Sequence, residues 1–410
     1  MSKDSRDSRP RRHTSCSAKR QCKRCRADRA FLGREHRLPS AQQRAAITVV
    51  DLFAGCGGMT VGFEEAARRA GHGLTIPLAV DCDPAAVAIY KANFPTSGAR
   101  VADVHDLFAG AVGSRLTASE NRLAEEIGDV DVLCGGPPCQ GHSDLNNHTR
   151  RKDPKNGLYL RMARAAEVLL PNLVVIENVT AVQWDEGGVV SQTSDALIGC
   201  GYEVAGKVLD LRRIGVPQRR KRFVLVASRL LSIDPSKILA RLATSMPNHP
   251  DRNLRWAIGD LSLDREGIFD TPSRISDDNA ARIDVLFDRK LYDLPNKHRP
   301  ECHQDGDHSY VSMYGRLRWT RPGQTITTGF GSMGQGRYVH PQRKRTLTPH
   351  EAARLQTFPD WFDFGEKTRR GVLATVIGNA VPPLLTVELG RMVIPKLRAA
   401  RSLGAQGRRA

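Results

Sequence analysis

The chain reads as an α/β protein: a doubly wound sheet with helices on both faces, joined to a smaller second region. Three observations predict this. Short apolar runs alternate with helical stretches from Ile47 to Ala227, a glycine-rich turn joins the first strand to the first helix, and the alternation stops after Ser228. At 410 residues a single core is improbable, which agrees with two regions.

The elements follow in order. Residues 1–46 hold 14 Lys/Arg against 4 Asp/Glu and almost no apolar periodicity, so a basic arm, disordered to about Gln43, is expected. His13, Cys16, Cys22 and Cys25 offer the alternative of a small metal knuckle, but no apolar residues were found to accompany them. Strands are expected at 47–53, 76–81, 100–104, 131–133, 173–177, 203–209 and 222–227. Helices are expected at 60–70, 84–93, 115–127, 158–170 and 190–199. The stretch 229–344 is rich in Arg, Asp, Pro, Gly and His and predicts a second domain of loops and short strands. Helical patterning returns at 350–356 and 384–397, before a basic tail at 399–410.

Composition narrows the function. The arm carries +10 of the formal net charge of +18, which leaves a mildly basic body suited to a polyanion. No apolar run reaches membrane-spanning length and the Arg-rich start is unlike a secretory signal, so an intracellular, soluble protein is expected. Nine cysteines without regular spacing do not suggest a disulfide framework.

Four segments carry chemistry. Gly135-Gly-Pro-Pro-Cys139-Gln-Gly-His-Ser143 places a cysteine on a stiff loop after an apolar strand, at the sheet rim where open α/β folds bind ligands. A thiol there reads as a nucleophile, with a buried apolar cysteine or a Cys134/Cys139 metal half-site as alternatives. Asp51-Leu-Phe-Ala-Gly-Cys-Gly-Gly58 brings backbone close to a nucleotide-like ligand, yet Thr60 stands where a nicotinamide fingerprint wants a third glycine. Asp81 sits where an acid reaches ribose hydroxyls, Asp103 where one accepts from an adenine, and Asp83 before Pro84 reads as a helix cap. A ribose and an adenine without a pyrophosphate cradle point to S-adenosyl-L-methionine. Glu177-Asn178 ends an apolar strand near Cys139, where burial would favour a protonated acid. Gln218-Arg-Arg-Lys-Arg222 supplies guanidinium groups for a carbonyl or phosphate.

Together these segments, with Arg345-Thr-Leu-Thr-Pro-His-Glu-Ala-Ala-Arg-Leu-Gln-Thr-Phe-Pro-Asp360 and Gly378-Asn-Ala-Val-Pro-Pro383, occur in one order. Over residues 47–398 the chain resembles the bacterial DNA cytosine-5 methyltransferases. The resemblance implies a Rossmann-like S-adenosylmethionine-dependent methyltransferase fold over 47–228 plus 363–398, with a mostly irregular and β target-recognition domain at 229–362. It implies that Cys139 attacks C6 of a flipped-out cytosine in duplex DNA while Glu177 engages N3, Arg222 holds O2 and Arg220 supports the loop. Phe53, Gly55, Gly57, Asp81, Asp103, Pro138, Asn379 and Val381 would line the cofactor, and Gln140, Ser143, Gln218, Thr327 and Thr328 would meet DNA. No catalytic metal is implied. A monomeric enzyme of the prokaryotic cytoplasm and nucleoid is expected, with a restriction endonuclease encoded nearby as a possible companion. His142 departs from the aromatic more common at that position. An RNA cytosine-5 methyltransferase is the near rival and a catalytically silent binding protein the distant one. The intact Cys139, Glu177 and Arg222 weigh against silence.

Overall fold

A computed structural model describes residues 23–38, 46–138, 157–244, 252–261, 266–304 and 313–407. After helix α1 (Lys23–Leu32) come β1 (Ile47–Leu52), α2 (Gly58–Arg69), β2 (Leu74–Asp81), α3 (Pro84–Asn93) and β3 (Ala99–Val101). Short α4 (Val104–Leu107) and α5 (Ala118–Ile127) lead to β4 (Val132–Gly135), α6 (Gly157–Leu169), β5 (Leu173–Asn178), α7 (Val189–Gly199) and β6 (Glu203–Asp210). A two-residue β7 (Gln218–Arg219) precedes β8 (Lys221–Ser228) and α8 (Pro235–Thr244). The remainder holds α9 (Leu254–Ile258), α10 (Asp277–Asp288), β9 (Gly323–Gln324), α11 (Pro349–Leu355), α12 (Arg370–Asn379) and α13 (Pro383–Gly407).

Seven strands form one sheet in the order β3-β2-β1-β4-β5-β8-β6. The first five in that order run parallel, and β8 lies antiparallel to both β5 and β6. Connections leave β1 toward β2 on one side and return as β4 on the other, so a crevice opens at the carboxyl ends of β1 and β4. Because β8 is reversed, its beginning reaches the rim where β5 ends: Asn178 pairs with Phe223.

Residue alternation divides the core. Along β1, Ile47 and Val49 join the cluster under α2, α3 and α13, whereas Val50 and Leu52 join the cluster under α4 to α7. On the first face, α2 and α13 pack very closely. A methyl at Gly62 would lie 2.0 Å from Thr386 Oγ1, and one at Gly58 would lie 2.3 Å from the Val381 carbonyl. The long apolar stretch Arg370–Ser402 is therefore a core element, with 72% of its most apolar window buried. On the second face, fully buried Arg164 binds Glu120 at 2.6 Å and also reaches Glu167.

Several expectations need correction. Lys23–Leu32 is a helix rather than part of a disordered arm: Phe31 and Leu32 enter the main core and Asp28 is buried. The arm's few apolar residues suffice because charged neighbours on the body pair with its polar ones. The metal-knuckle positions His13, Cys16 and Cys22 lie outside the described residues, while Cys25 is buried beside Arg252. In the stretch expected to hold loops and short strands, the regular structure is mostly helical, with β9 its one strand among the described residues. Within that stretch α8 packs on β6 and β8, so it extends the catalytic body. A separate small core of Ile283, Leu286, Leu294, Tyr314, Met333 and Val339 forms around α10. The tail expected from 399 is helical to Gly407, and Arg401 there pairs with buried Asp131 at 2.8 Å.

Candidate active site

The rim between β1, β4 and β5 brings Glu177, Arg222 and Val381 of the expected residues together. After β4 the chain runs through Gly136 and Pro137, and the side-chain amide of Asn178 donates to the Pro137 carbonyl at 3.1 Å. That bond ties the loop after β4 to the end of β5. The described chain stops there at Pro138; Cys139, Gln140, His142 and Ser143 lie outside the described residues. Glu177 faces the same place. Its Oε2 would be 3.7 Å from a methyl on Gly136, and Val381 Cγ2 would be 3.6 Å from that methyl. One small volume is thus bounded by Gly136, Glu177 and Val381.

Arg222 completes this corner. Its Nε lies 2.8 Å from Glu177 Oε1, with side chains 16% and 8% exposed, while its Nη1 donates to the Lys221 carbonyl. The Nε–H is not aimed along the contact, so the buried Oε1 lacks an aligned donor. A carboxyl and a guanidinium are thereby held side by side, able to meet two neighbouring heteroatoms of one planar ring.

Arg220 has a different role. It is fully buried, donates to Ile326 O at 3.0 Å and Ala380 O at 3.1 Å, and burial presses its pKa down to about 9, leaving it cationic at neutral pH. It pins the segment around Ile326 to the turn between α12 and α13. Gln218 does the same work: its Nε2 donates to Leu355 O and Gln356 Oε1, and its Oε1 accepts from Ile326 N. Expected to meet DNA, Gln218 is instead fully buried with both ends committed. The backbone of Thr327 and Thr328 packs against the end of α12, since a methyl at Gly378 would be 2.4 Å from Thr328 N. Thr327 is half-buried with its hydroxyl 3.0 Å from the Tyr338 hydroxyl, and Thr328 is exposed.

The loop after β1 is held in an unusual backbone conformation with open space beside it. Phe53 and Gly55 both have φ of 53°, a strained value for phenylalanine, and a methyl at Gly55 would meet nothing within 4 Å. The Asp81 carboxylate accepts from Gly55 N at 2.8 Å and Asp83 N at 2.9 Å, fixing loop and acid together. Asp83 caps α3 as expected, and Asp103 caps α4 through His105 N while remaining exposed. The α2 amino terminus, where a pyrophosphate would sit, is covered by Val381 O against Gly58. Open space at Gly55, acids at two strand ends and a closed helix terminus fit S-adenosyl-L-methionine. Asn379 is exposed at the end of α12.

Beneath the loop, burial pushes the Asp51 carboxyl up to about 7, although Thr60 donates to it at 2.6 Å. Sequence reasoning missed the Asn178 tie and the binding of Ile377 O, Gly378 O and Ala380 O by Gln356 Nε2. A polar residue closing an apolar strand was the available signal for the first; nothing local marks the second.

Known proteins show the family to which the chain belongs. The profile of the C-5 cytosine-specific DNA methylase family matches residues 47–394. The chain is 41% identical over 363 residues to Type II methyltransferase M1.BsuMI of Bacillus subtilis, covering 88% of this chain and 84% of that protein. It is 29% identical to Type II methylase M.HgiDII of Herpetosiphon aurantiacus, over 85% of this chain and 94% of the relative. Among solved structures, a prophage-encoded DNA modification methyltransferase from E. coli superposes with a TM-score of 0.59 at 23% identity, covering 86% of this chain and all of that one. The S. pombe Dnmt2 methyltransferase gives 0.55 at 17% identity, over 85% and 99%; both likenesses concern the fold. The chain belongs to the C-5 cytosine-specific DNA methylase family and is a DNA cytosine-5 methyltransferase.

Proposed function

We propose that this methyltransferase modifies a cytosine swung out of duplex DNA, with Cys139 as the nucleophile. The observation that carries the reading is the Glu177–Arg222 pair beside Gly136, three residues before Cys139. A cytosine is too weak a nucleophile at C5 to take a methyl group directly. The Cys139 thiolate adds to C6, and the C5–C6 π electrons move to C5. Glu177 engages N3 and Arg222 the O2 carbonyl, so charge developing on the ring meets fixed partners. When bound, S-adenosyl-L-methionine supplies the electrophilic methyl that C5 takes up. Loss of the C5 proton then returns electrons to the ring and expels the thiolate from C6.

Phe53, Gly55, Asp81 and Val381 are proposed to hold the donor, with Asp103, Asn379, Gly57 and Pro138 around them. Thr327 and Thr328 are the proposed DNA-side residues of the recognition segment, joined by Gln140 and Ser143. The target is double-stranded DNA, reached from the major groove where base edges are distinguishable. The Type II names of the relatives support a restriction-modification role; action as a monomer in a bacterial cytoplasm, with a cognate endonuclease encoded nearby, completes the proposal. Bisulfite sequencing of DNA from cells expressing the chain tests the reading. Protected cytosines in one recurring sequence support it; unprotected DNA together with modified RNA overturns it.

A further inference from the structure

The segment Lys23–Arg37 precedes the family domain, which begins at Ile47, yet it is bonded throughout to the body. Arg24 pairs with Glu388 on α13, Arg34 with Glu65 on α2 at 3.1 Å, and Arg37 with Glu64. Arg29 donates to Trp256 O in α9 and pairs with Asp260, just after it, at 2.6 Å. The segment therefore grips both the catalytic sheet's helices and the connection into the recognition region.

One residue in it is unlike the rest. Asp28 is fully buried and binds two arginines from different parts of the body: Arg69 of α2 at 3.0 Å and Arg252, just before α9, at 2.5 Å. Arg252 is itself buried, stacks over Trp256 with 4.9 Å to the ring centroid, and donates through Nη1 to Gly215 O at 3.0 Å. Gly215 has φ of 98°, and a methyl on it would lie 1.6 Å from Arg252 Nη1, so the turn and the guanidinium are fitted to each other. That turn launches the chain into Gln218, Arg220 and Arg222.

We infer that Asp28, supplied by the helix outside the family domain, is a positioning residue for the arginine strand: through Arg252 it fixes the Gly215 turn and hence Arg222 against Glu177. Asp28 does not touch DNA or cofactor. It neutralises a guanidinium that would otherwise be buried uncompensated beside the turn. Without it Arg252 leaves Gly215 O to seek water, and the strand that carries Arg222 shifts. A misplacement of about 1 Å at a reacting group costs on the order of a hundredfold in rate. This inference rests on the proposed roles of Cys139 and Arg222.

The test uses the full chain and a pool of duplexes carrying 5-fluorocytosine in random contexts, with S-adenosyl-L-methionine present. The rate of covalent adduct formation is read at saturating DNA, and donor affinity is read separately by calorimetry. For Asp28→Ala the adduct should form on the order of a hundredfold more slowly, while donor affinity stays within about twofold. The double variant Asp28→Leu with Arg252→Met replaces the buried pair by apolar groups and keeps the fold, yet Gly215 O still lacks its donor, so it too should be slow. Asp28→Glu should recover much of the rate. Wild-type adduct rates in the double variant, or equal loss of donor affinity and adduct rate in both variants, overturn the inference. A wild-type chain that forms no adduct in any context overturns the underlying reading instead, and the inference with it.

Discussion

Gly62→Ala tests how closely α13 is seated on α2. The added methyl would lie 2.0 Å from Thr386 Oγ1 and 2.2 Å from the Pro383 carbonyl oxygen. Ordinary contact begins near about 3.5 Å, so the helices must part by roughly 1.5 Å. One obstacle is backbone and the other a short hydroxyl already donating to Met59 O at 2.8 Å, so neither swings away cheaply. Overpacking of this kind costs about 1–3 kcal/mol, here near the upper end, and alanine's better helix propensity returns about 1 kcal/mol. A net loss of about 2 kcal/mol is expected in urea unfolding. If Asn379 and Val381 hold the donor as proposed, donor affinity should fall as well, because Asn379 ends α12 and Val381 lies in the turn that leads into α13. Gly199→Ala in α7, where a methyl meets nothing within 4 Å, is the control and should be neutral or slightly stabilising. A Gly62→Ala protein as stable as wild type would refute the close seating of these helices.

Three further outcomes are expected. Arg164→Met leaves Glu120 buried without its partner and should destabilise by about 3–5 kcal/mol in urea unfolding. In the wild type, hydrogen bonds from Arg164 hold the Glu120 carboxyl down to about 2, so its contribution is full above pH 4.5 and fades as pH falls toward 2; the variant should lose that part of the acid slope. Asp51 has the opposite sign. Its folded pKa is raised from 3.8 to about 7, so wild-type stability falls as pH rises between these values, and Asp51→Asn should lack the fall, with a relative gain of roughly 4 kcal/mol at most by pH 8 in pH-resolved thermal or urea unfolding. Glu177→Gln should lower turnover on the order of 10²- to 10³-fold in methyl-transfer assays while donor binding measured by calorimetry is unchanged, because the amide keeps the shape but loses the charge facing Arg222.

The sheet was legible because its strands are short apolar runs between glycine, proline and acidic punctuation. β2, β5 and β6 were anticipated within two residues at each end. The glycine-rich turn after β1 was legible for the same reason, and there the Val381 carbonyl packs against Gly58 at the start of α2. What stayed hidden depends on distant partners. Nothing local in Arg24 to Arg37 announces a docked helix, since its buried charge is balanced by Arg69 and Arg252, far along the chain. Gln218 was expected at the DNA from the family resemblance alone; its burial is stabilised by Leu355, Gln356 and Ile326, partners distant in the chain. The helices after Ser228 were missed where they are as short as α9 or as polar as α10, which gives periodicity little to work on.

The central claim is that the Cys139 sulfur bonds to the cytosine ring while Glu177 and Arg222 hold its other edge. Intact-mass measurement of the protein after incubation with 5-fluorocytosine duplexes and methyl donor tests it most directly. A stable adduct at Cys139 in the wild type, none for Cys139→Ser and a much slower one for Glu177→Gln is the expected result. An adduct that persists in Cys139→Ser, or methylation by that variant at the wild-type rate, contradicts the account.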